Sequence, residues 1–162
     1  MERKNLVFAG GCFWGVQAFA RRLPGVLETV CGYANGTLAN PTYEQVCTGL
    51  TGHAEAVRIL YDGSVLSLGE LAGELFTILH PAASVPSQYR SGYYYEASGD
   101  GQMIQRFLDA QAAAAKGPLY VECEPLTAFH PAEAYHQDYL EHHPGAFCHV
   151  DLSRFGIRRE AE

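Results

Sequence analysis

The fold of this chain is decided in residues 5–20, NLVFAGGCFWGVQAFA. Residues 5–10 form a short apolar run that ends in two glycines, which predicts a strand followed by a tight turn. A helix is predicted to begin at Cys12, because the apolar residues after it have the spacing of one buried helical face: Val16, Phe19, Ala20 and Leu23. Pro24-Gly25 is typical of the end of such a helix. The stretch therefore places a cysteine where a strand turns into a helix.

The rest of the chain alternates strand and helix patterns and then breaks into longer loops. Beyond this first unit we predict strands over 26–33, 53–61 and 119–129, helices over 67–80, 102–116 and 131–142, and loops over 34–51 and 81–95. The first of these loops contains one helical turn near Tyr43. No repeat or linker interrupts the pattern, so we predict a single domain over 1–162, in which 144–162 is an irregular tail. Strands mixed with helices predict an α/β or α+β fold with helices packed on a mixed sheet.

Composition limits the classes of function. The 162 residues are 48% hydrophobic and 18% charged, which is typical of a globular protein and not of a disordered one. The formal net charge is -7, and basic residues form only short pairs such as Arg21-Arg22, so we expect no nucleic-acid partner. No apolar stretch is long enough to span a membrane, and Leu6–Ala9 is too short for a signal peptide. We therefore expect a cytoplasmic protein without membrane contact.

The chain has five cysteines and no CxxC pair, so a framework of structural disulfides is not expected. Cys12 is the candidate nucleophile, because unpaired N–H groups and the helix dipole at the start of a helix favour negative charge. Such a position is expected to lower the pKa of the thiol, and the thiolate is the reactive form. From spacing alone, a small buried thiol at Cys12 is an equally good interpretation.

Six ordered blocks carry a resemblance to a known family. The first is Gly11-Cys12-Phe13-Trp14, and five more follow in order: 32–36, 40–47, 51–55, 88–91 and 135–140. Across about Leu6 to Cys148 the chain is similar to the A-type methionine sulfoxide reductases, also called peptide methionine sulfoxide reductase A. The resemblance implies a ferredoxin-like, two-layer α/β sandwich around a mixed sheet.

The resemblance also implies a role for each motif residue. Cys12 would attack the sulfoxide sulfur, Glu55 would be the acid, and Cys148 would be the resolving cysteine. The substrate methyl group would lie against Phe13 and Trp14, and the hydroxyls of Tyr43 and Tyr89 would hydrogen-bond the sulfoxide oxygen. The family acts on the S epimer, whether free or within proteins, and the motifs leave these two substrates open.

The implied cycle needs no metal and no cofactor. Cys12 would become a sulfenic acid, condense with Cys148 to a disulfide, and be regenerated by thioredoxin as external reductant and partner. The protein would act as a monomer that repairs oxidised methionine.

The chemistry explains why these residue types occur together. A thiolate can displace a sulfoxide oxygen only if that oxygen is protonated or strongly hydrogen-bonded. Glu55 is flanked by small and apolar residues, and an apolar site raises a carboxyl pKa towards neutrality. Without the family resemblance, Glu55 would be an ordinary strand carboxylate, and Tyr43 and Tyr89 would be two of 10 tyrosines. We interpret the remaining cysteines as structural: Cys31, Cys47 and Cys123.

The chain departs from the family at two places. The loop between His80 and Gln88 is several residues shorter than usual, and Ser84 stands where the family has an aspartate. This loop shapes the substrate mouth in the family, so substrate range and affinity are affected more than the core chemistry. The tail has one cysteine, Cys148, where many members have two, so regeneration would depend on Cys148 alone.

Three other functions stay open from the residues. A zinc protein would use the late histidines, but His142 and His143 are adjacent and no second ligand pair at suitable spacing accompanies them. A cysteine hydrolase would need a base near Cys12, and His53 shares a strand face with Glu55. A non-enzymatic binding module would not need reactive groups around a glycine turn.

Overall fold

A computed structural model of the protein describes residues 1–157, so the last five residues of the predicted tail lie outside the described part. The strands are β1 Arg3–Gly10, β2 Val26–Ala34, β3 Ala54–Asp62, β4 Ser91–Tyr95, β5 Val121–Pro125 and β6 Phe129–Pro131. The helices are α1 Phe13–Ala20, α2 Tyr43–Cys47, α3 Leu68–Phe76, α4 Ser98–Ala115 and α5 Tyr139–His142. Short 3-10 turns occur at Ser87–Tyr89, Ala134–His136 and Ser153–Phe155.

The strands form one mixed sheet in the order β5-β4-β1-β3-β2-β6. All neighbours are antiparallel except β4 and β5, which are parallel. The central four strands, with α1 and α3 as crossovers, have the βαββαβ connectivity of a ferredoxin-like unit. The predicted class, a mixed sheet with packed helices, is confirmed.

The alternation of side chains along the strands divides the sheet into two faces. On β3, Val57, Ile59 and Tyr61 join the large core beneath the helices, whereas Ala54 and Ala56 belong to a smaller cluster on the opposite face. Glu55 has the parity of the helix-side residues, and it is only 1% exposed. The strand pattern therefore directs the Glu55 carboxyl into the protein rather than to solvent.

The predicted loop over 81–95 is wrong for its last five residues, because Ser91–Tyr95 is β4, a strand inside the sheet. Tyr93 and Tyr94 are almost fully buried, and their hydroxyls donate to Ala72 O and to Glu122 Oε1, both at 2.7 Å. A tyrosine is tolerated in a core when its hydroxyl finds a partner. Those partners are distant in sequence, so the segment resembled a polar loop.

The predicted strand over 119–129 is two strands at opposite edges of the sheet, β5 beside β4 and β6 beside β2. The chain crosses between them next to Asn35, whose Oδ1 accepts from Thr127 N at 2.8 Å and whose Nδ2 donates to Pro125 O at 3.0 Å. A continuous β pattern does not reveal that a strand changes partner. This crossing brings the end of the chain back towards α1.

The predicted helix over 131–142 is also wrong, because only Tyr139–His142 is α-helical. Tertiary hydrogen bonds replace the helical ones before it. Gln137 Oε1 accepts from Cys31 N and Gln137 Nε2 donates to Cys31 O, both at 2.9 Å, and Gln17 Oε1 accepts from Asp138 N at 2.8 Å. Asp138 adopts a left-handed conformation with φ 52°. These bonds fasten the segment to β2 and α1.

The two other predicted helices are shifted at their ends. Residues 77–79 leave the α-helical pattern of α3 for i to i-3 bonds, and α4 begins at Ser98 rather than at residue 102. Within residues 1–157, no helix combines the length and apolar character that crossing a membrane would require.

Candidate active site

The predicted site residues converge at one end of the sheet. Gly10 at the end of β1 is paired with Ser91 at the start of β4, which brings Cys12 and Tyr89 to the same end of the sheet. Tyr33 near the end of β2 is paired with Glu55 at the start of β3. Strand ends therefore supply most of the positions, and the sheet register fixes them relative to one another.

Cys12 lies where the sequence predicts it, in the turn between β1 and α1. Gly11 has φ +87°, a conformation that L side chains rarely adopt, and Cys12 is the N-cap residue of α1. Cys12 as a whole residue is partly exposed. The backbone N–H groups of Trp14 and Gly15 point at the sulfur and stabilise its charged form.

The Cys12 thiol nevertheless has a raised pKa, about 12, which contradicts the expectation of a lowered one. Burial is the largest cause, and the negative charge of Glu55 is the next, because both disfavour a thiolate. These effects outweigh the two backbone N–H groups. Cys12 therefore keeps its proton at neutral pH, and the thiolate has to be formed during the reaction.

Glu55 is the carboxyl group whose charge acts on Cys12. Its Oε1 accepts from Phe13 N at 3.2 Å, and its Oε2 accepts from Gln88 Nε2 at 2.6 Å. Burial raises the pKa of Glu55 to about 7, although both hydrogen bonds favour the carboxylate and limit the rise. The carboxyl therefore exchanges its proton near neutral pH, as acid-base work requires.

Gln88 is a further site residue, to which the sequence alone assigns no role. It is 7% exposed, and its Nε2 also lies 3.5 Å from Cys47 Sγ. The 3-10 turn that carries it is held by Arg90, whose Nη1 donates to Gly52 O at 3.0 Å and whose Nε donates to Glu122 Oε1 at 2.6 Å. The motif Gln88–Ser91 marked the segment, but only the contact with Glu55 reveals what the amide does.

Tyr43 and Tyr89 face each other across the mouth of the site. A capping box formed by Thr42 and Gln45 begins α2 and sets Tyr43 in its first turn. The Tyr43 hydroxyl interacts with the Tyr89 hydroxyl and with the Cys47 thiol. Burial raises the pKa of both tyrosines, and the charge of Glu55 adds to this, so both hydroxyls remain protonated donors.

The aromatic side of the site is built around His136, which sequence reasoning missed. Trp14 Nε1 donates to His136 Nδ1 at 3.0 Å, and the indole stacks on Tyr139 with ring centroids 3.6 Å apart. Phe13 is buried, with its ring 5.1 Å from that of His136. Burial lowers the pKa of His136, which suits the neutral acceptor that Trp14 needs. The indole is thus held by two contacts, and Trp14 as a residue stays partly exposed.

Glu133 ties the tyrosine side of the site to the sheet. Its Oε1 accepts from the hydroxyl of Tyr33 at 2.7 Å, and its Oε2 accepts from Tyr43 N at 2.9 Å. One carboxylate therefore connects β2 to the start of α2. The residue was not singled out by sequence, because its role depends on two partners that are each about ninety or more positions away.

Cys31 and Cys148 are the two thiols whose charges would interact with that of Cys12. Cys31 is buried, and its Sγ donates to Gln17 Oε1 at 3.1 Å, as a structural thiol would. Cys148 is partly exposed and lies against α1: a Cβ added to Gly15 would be 3.1 Å from Cys148 Sγ. A charge on Cys148 would raise the Cys12 pKa further, which reflects their proximity.

Cys47 and Cys123 differ from each other. Cys47 is exposed and lies beside Gln88, so it is not a core thiol, and its interpretation as structural stays a prediction. Cys123 is partly exposed on β5, where its Sγ donates to Gly101 O at 3.5 Å.

The alternative functions find less support in the geometry. The ring of His53 packs on Gly36 and lies 5.9 Å from the ring of His130, whereas the ionisable side chains that act on the Cys12 thiol are Glu55 and Cys148. Within residues 1–157, no group of three or more His, Cys, Asp or Glu side chains is placed to hold a metal ion. Ser84 lies exposed in the short loop before Gln88.

Known proteins resemble this chain in sequence. Residues 4–161 match the family model described as peptide methionine sulfoxide reductase. The peptide methionine sulfoxide reductase MsrA of Clostridium botulinum (strain Okra) is 43% identical over 155 residues, covering 92% of this chain and 99% of that protein.

Two solved structures share the fold. Reduced Mxr1 from Saccharomyces cerevisiae has a TM-score of 0.87 at 28% identity and covers 93% of this chain and 92% of its own. Methionine sulfoxide reductase A of Corynebacterium diphtheriae has a TM-score of 0.84 at 29% identity, with 90% of this chain and 77% of its own covered. The fold implied by the resemblance is confirmed.

Proposed function

Because this chain belongs to the peptide methionine sulfoxide reductase family, a family of oxidoreductases, we propose that it reduces methionine-S-sulfoxide to methionine through Cys12. The observation that carries the proposal is that two chemical groups lie together at one end of the sheet. One is a partly exposed cysteine at a glycine turn, and the other is a buried carboxyl whose pKa is raised to about 7. A thiol and a proton donor are the two groups that sulfoxide reduction requires.

The protein binds the apolar methyl group and the polar sulfoxide oxygen of the substrate on different sides of the site. The methyl group lies against Trp14, with Phe13 behind it, because both supply apolar ring surface. The sulfoxide oxygen lies among the Glu55 carboxyl and the hydroxyls of Tyr43 and Tyr89, which donate hydrogen bonds without adding charge. His136 keeps the indole of Trp14 in place through the 3.0 Å bond to its Nε1. The choice of the S epimer follows from the family resemblance and not from these contacts.

One proton serves the first half of the reaction. With pKa values of about 12 for Cys12 and about 7 for Glu55, the pair holds one proton between these pH values. That proton moves from the thiol to the carboxylate as the substrate excludes water. The thiolate then attacks the sulfoxide sulfur, and Glu55 passes the proton to the oxygen. The protonated oxygen then passes to the Cys12 sulfur as the transient bond between the two sulfurs breaks, which leaves methionine and a sulfenic acid on Cys12.

The second half of the reaction regenerates the thiol. The Cys148 sulfur attacks the Cys12 sulfur, the S–O bond breaks, and water leaves as the disulfide forms. A dithiol protein of the thioredoxin kind then reduces this disulfide by exchange. The position of Cys148 against the first turn of α1 supports this assignment. The chemistry uses no metal and no bound cofactor, and its role in the cell is the repair of methionine oxidised in proteins or as the free amino acid.

The experiment is turnover of each epimer of dabsylated methionine sulfoxide with dithiothreitol as reductant. The proposal predicts that only the S epimer is converted to methionine. A Cys12→Ser variant is the control for conversion by the reductant alone. Failure to convert either epimer would overturn the proposal and return the hydrolase and binding-module hypotheses to consideration.

A further inference from the structure

The segment that carries Cys148 has no helix or strand of its own. Residues 143–152 are irregular, yet Cys148 sits against α1 rather than in solvent. Two apolar side chains that follow it, Val150 and Leu152, are 5% and 3% exposed and belong to the main core. These two side chains anchor the segment downstream of Cys148, and the Cys148 thiol donates to the carbonyl of Val150 at 3.3 Å. A further contact joins the segment to the turn that presents Cys12.

His149 supplies that further contact. Its Nε2–H donates to the carbonyl of Gly10 at 2.9 Å, which leads directly into the turn that presents Cys12. The bond joins the residue next to Cys148 to the residue two before Cys12. Burial lowers the pKa of His149, which is consistent with a neutral ring whose Nε2 carries the hydrogen.

Two glycines make room for this contact. A Cβ on Gly11 would lie 2.9 Å from His149 Nε2, and a Cβ on Gly15 would lie 3.2 Å from His149 Cε1. The same Cβ on Gly15 would be 3.1 Å from Cys148 Sγ. Larger residues at either position would push the segment away. Gly11 and Gly15 therefore leave room for residues 148–149, and Gly11 also allows the turn before Cys12.

We propose that His149 is a positioning residue for disulfide formation, which holds the Cys148 thiol beside Cys12 while the sulfenic acid exists. The proposal rests on the function proposed above. In the step it assists, the Cys148 sulfur bonds to the Cys12 sulfur, and the sulfenic oxygen leaves as water with the thiol proton. Methionine sulfoxide has already supplied the oxidising equivalent. Holding two reactants together raises the rate of such a step without changing its chemistry.

A structural role alone would not separate the two halves of the cycle. Cys12, Glu55, Tyr43 and Tyr89 belong to other elements, so loss of the His149 bond leaves the first half intact. The disulfide step depends on where Cys148 lies and is slowed. The distinguishing readout is therefore the ratio of the two rates, measured in one sample.

The test mixes full-length enzyme with stoichiometric methionine-S-sulfoxide and no reductant. Methionine is quantified at each quench time, and the Cys12 sulfenic acid is trapped with dimedone while the disulfide is measured by mass. In His149→Leu we expect methionine formation within about twofold of wild type and disulfide formation slowed about 10- to 100-fold. His149→Gln places an amide N–H near the same position, so it should restore most of the rate. His142→Leu, at an exposed histidine of the same region, should behave as wild type.

Each other outcome overturns the inference or identifies a failure elsewhere. Disulfide formation at the wild-type rate in His149→Leu would overturn it. So would an equal slowing of both steps that His149→Gln does not relieve, because that pattern marks a distorted Cys12 turn. A wild-type enzyme that produces no methionine, or no Cys12–Cys148 disulfide, would instead refute the proposed function.

Discussion

The two sides of this site are held by different kinds of structure. Glu55 lies on a strand inside a six-stranded sheet and is bonded on both carboxyl oxygens. Cys148 lies in an irregular segment, where its thiol is next to α1, the neighbouring His149 bonds to Gly10 O, and Val150 and Leu152 are buried in the core. The carboxyl for sulfoxide chemistry therefore lies within a sheet, and the thiol for recycling lies in a segment without a helix or strand.

This difference matches what each half-reaction needs. Proton transfer and attack on sulfur depend on precise geometry, which buried strands maintain. The resolving thiol has to approach Cys12 and then present its disulfide to another protein, which a loosely held segment allows. We therefore expect that substitutions near Glu55 slow the first turnover. Substitutions near Cys148 should slow only the later turnovers, which need the disulfide.

The largest effect should come from Cys12→Ser. A hydroxyl is a far poorer nucleophile than the thiol, so methionine formation should fall by about 10³-fold or more even in a single turnover. Cys31→Ser is the matched control, because Ser can keep the hydrogen bond to Gln17 and lies outside the proposed chemistry. Comparable losses in the two variants would mean that the thiol contributes packing rather than catalysis.

Glu55→Gln should slow the first turnover by about 10²- to 10⁴-fold, since the amide cannot relay a proton. In the wild type, kcat/KM should rise with pH through about 7, because below that pH both Glu55 and Cys12 are protonated and no base accepts the thiol proton. This rise should be absent in the variant. Glu28→Gln, at an exposed strand position, is the control. An unchanged pH profile in Glu55→Gln would assign the titration to another group.

Cys148→Ser should leave a single turnover within about twofold of wild type and lower thioredoxin-driven turnover at least about tenfold. The physical reason is that the sulfenic acid on Cys12 still forms but has no neighbouring thiol. Rapid quench gives the first rate, and coupled oxidation of reduced thioredoxin gives the second. Normal cycling with thioredoxin would remove Cys148 from the mechanism.

Gly15→Ala should have the smallest effect, slowing disulfide formation by about three- to tenfold. Its Cβ would lie 3.1 Å from both Cys148 Sγ and Val150 Cγ2, so the segment must shift, while the backbone N–H towards Cys12 remains. Gly73→Ala in α3 is the control, because its Cβ meets nothing within 4 Å. A first turnover slowed as much as the disulfide step would indicate damage to α1 itself.

The sequence predicted the parts of the site that depend on local pattern. The apolar run, the two glycines and the helical spacing located Cys12 at its turn, and the small and apolar neighbours of Glu55 indicated an apolar site for its carboxyl, which is buried. Period and turn chemistry are properties of neighbouring residues, so they can be obtained from one chain.

The rest depends on contacts between distant residues. Gln88 and His136 acquire roles only when the fold brings them to Glu55 and Trp14, which are 33 and 122 positions away. The sign of the Cys12 pKa shift was wrong because the helix terminus is a local feature, whereas burial and the charge of Glu55 are not. The buried tyrosines of β4 resembled a loop for the same reason.

The most direct test of the two-sided site is to find which cysteine pairs with Cys12. Wild-type enzyme is oxidised with one equivalent of methionine-S-sulfoxide, its remaining thiols are blocked, and the disulfide-linked peptides are identified by mass spectrometry. We expect one new disulfide, between Cys12 and Cys148, formed together with one equivalent of methionine. A disulfide between Cys12 and Cys47, or a sulfenic acid that persists beside an unreacted Cys148, would contradict it.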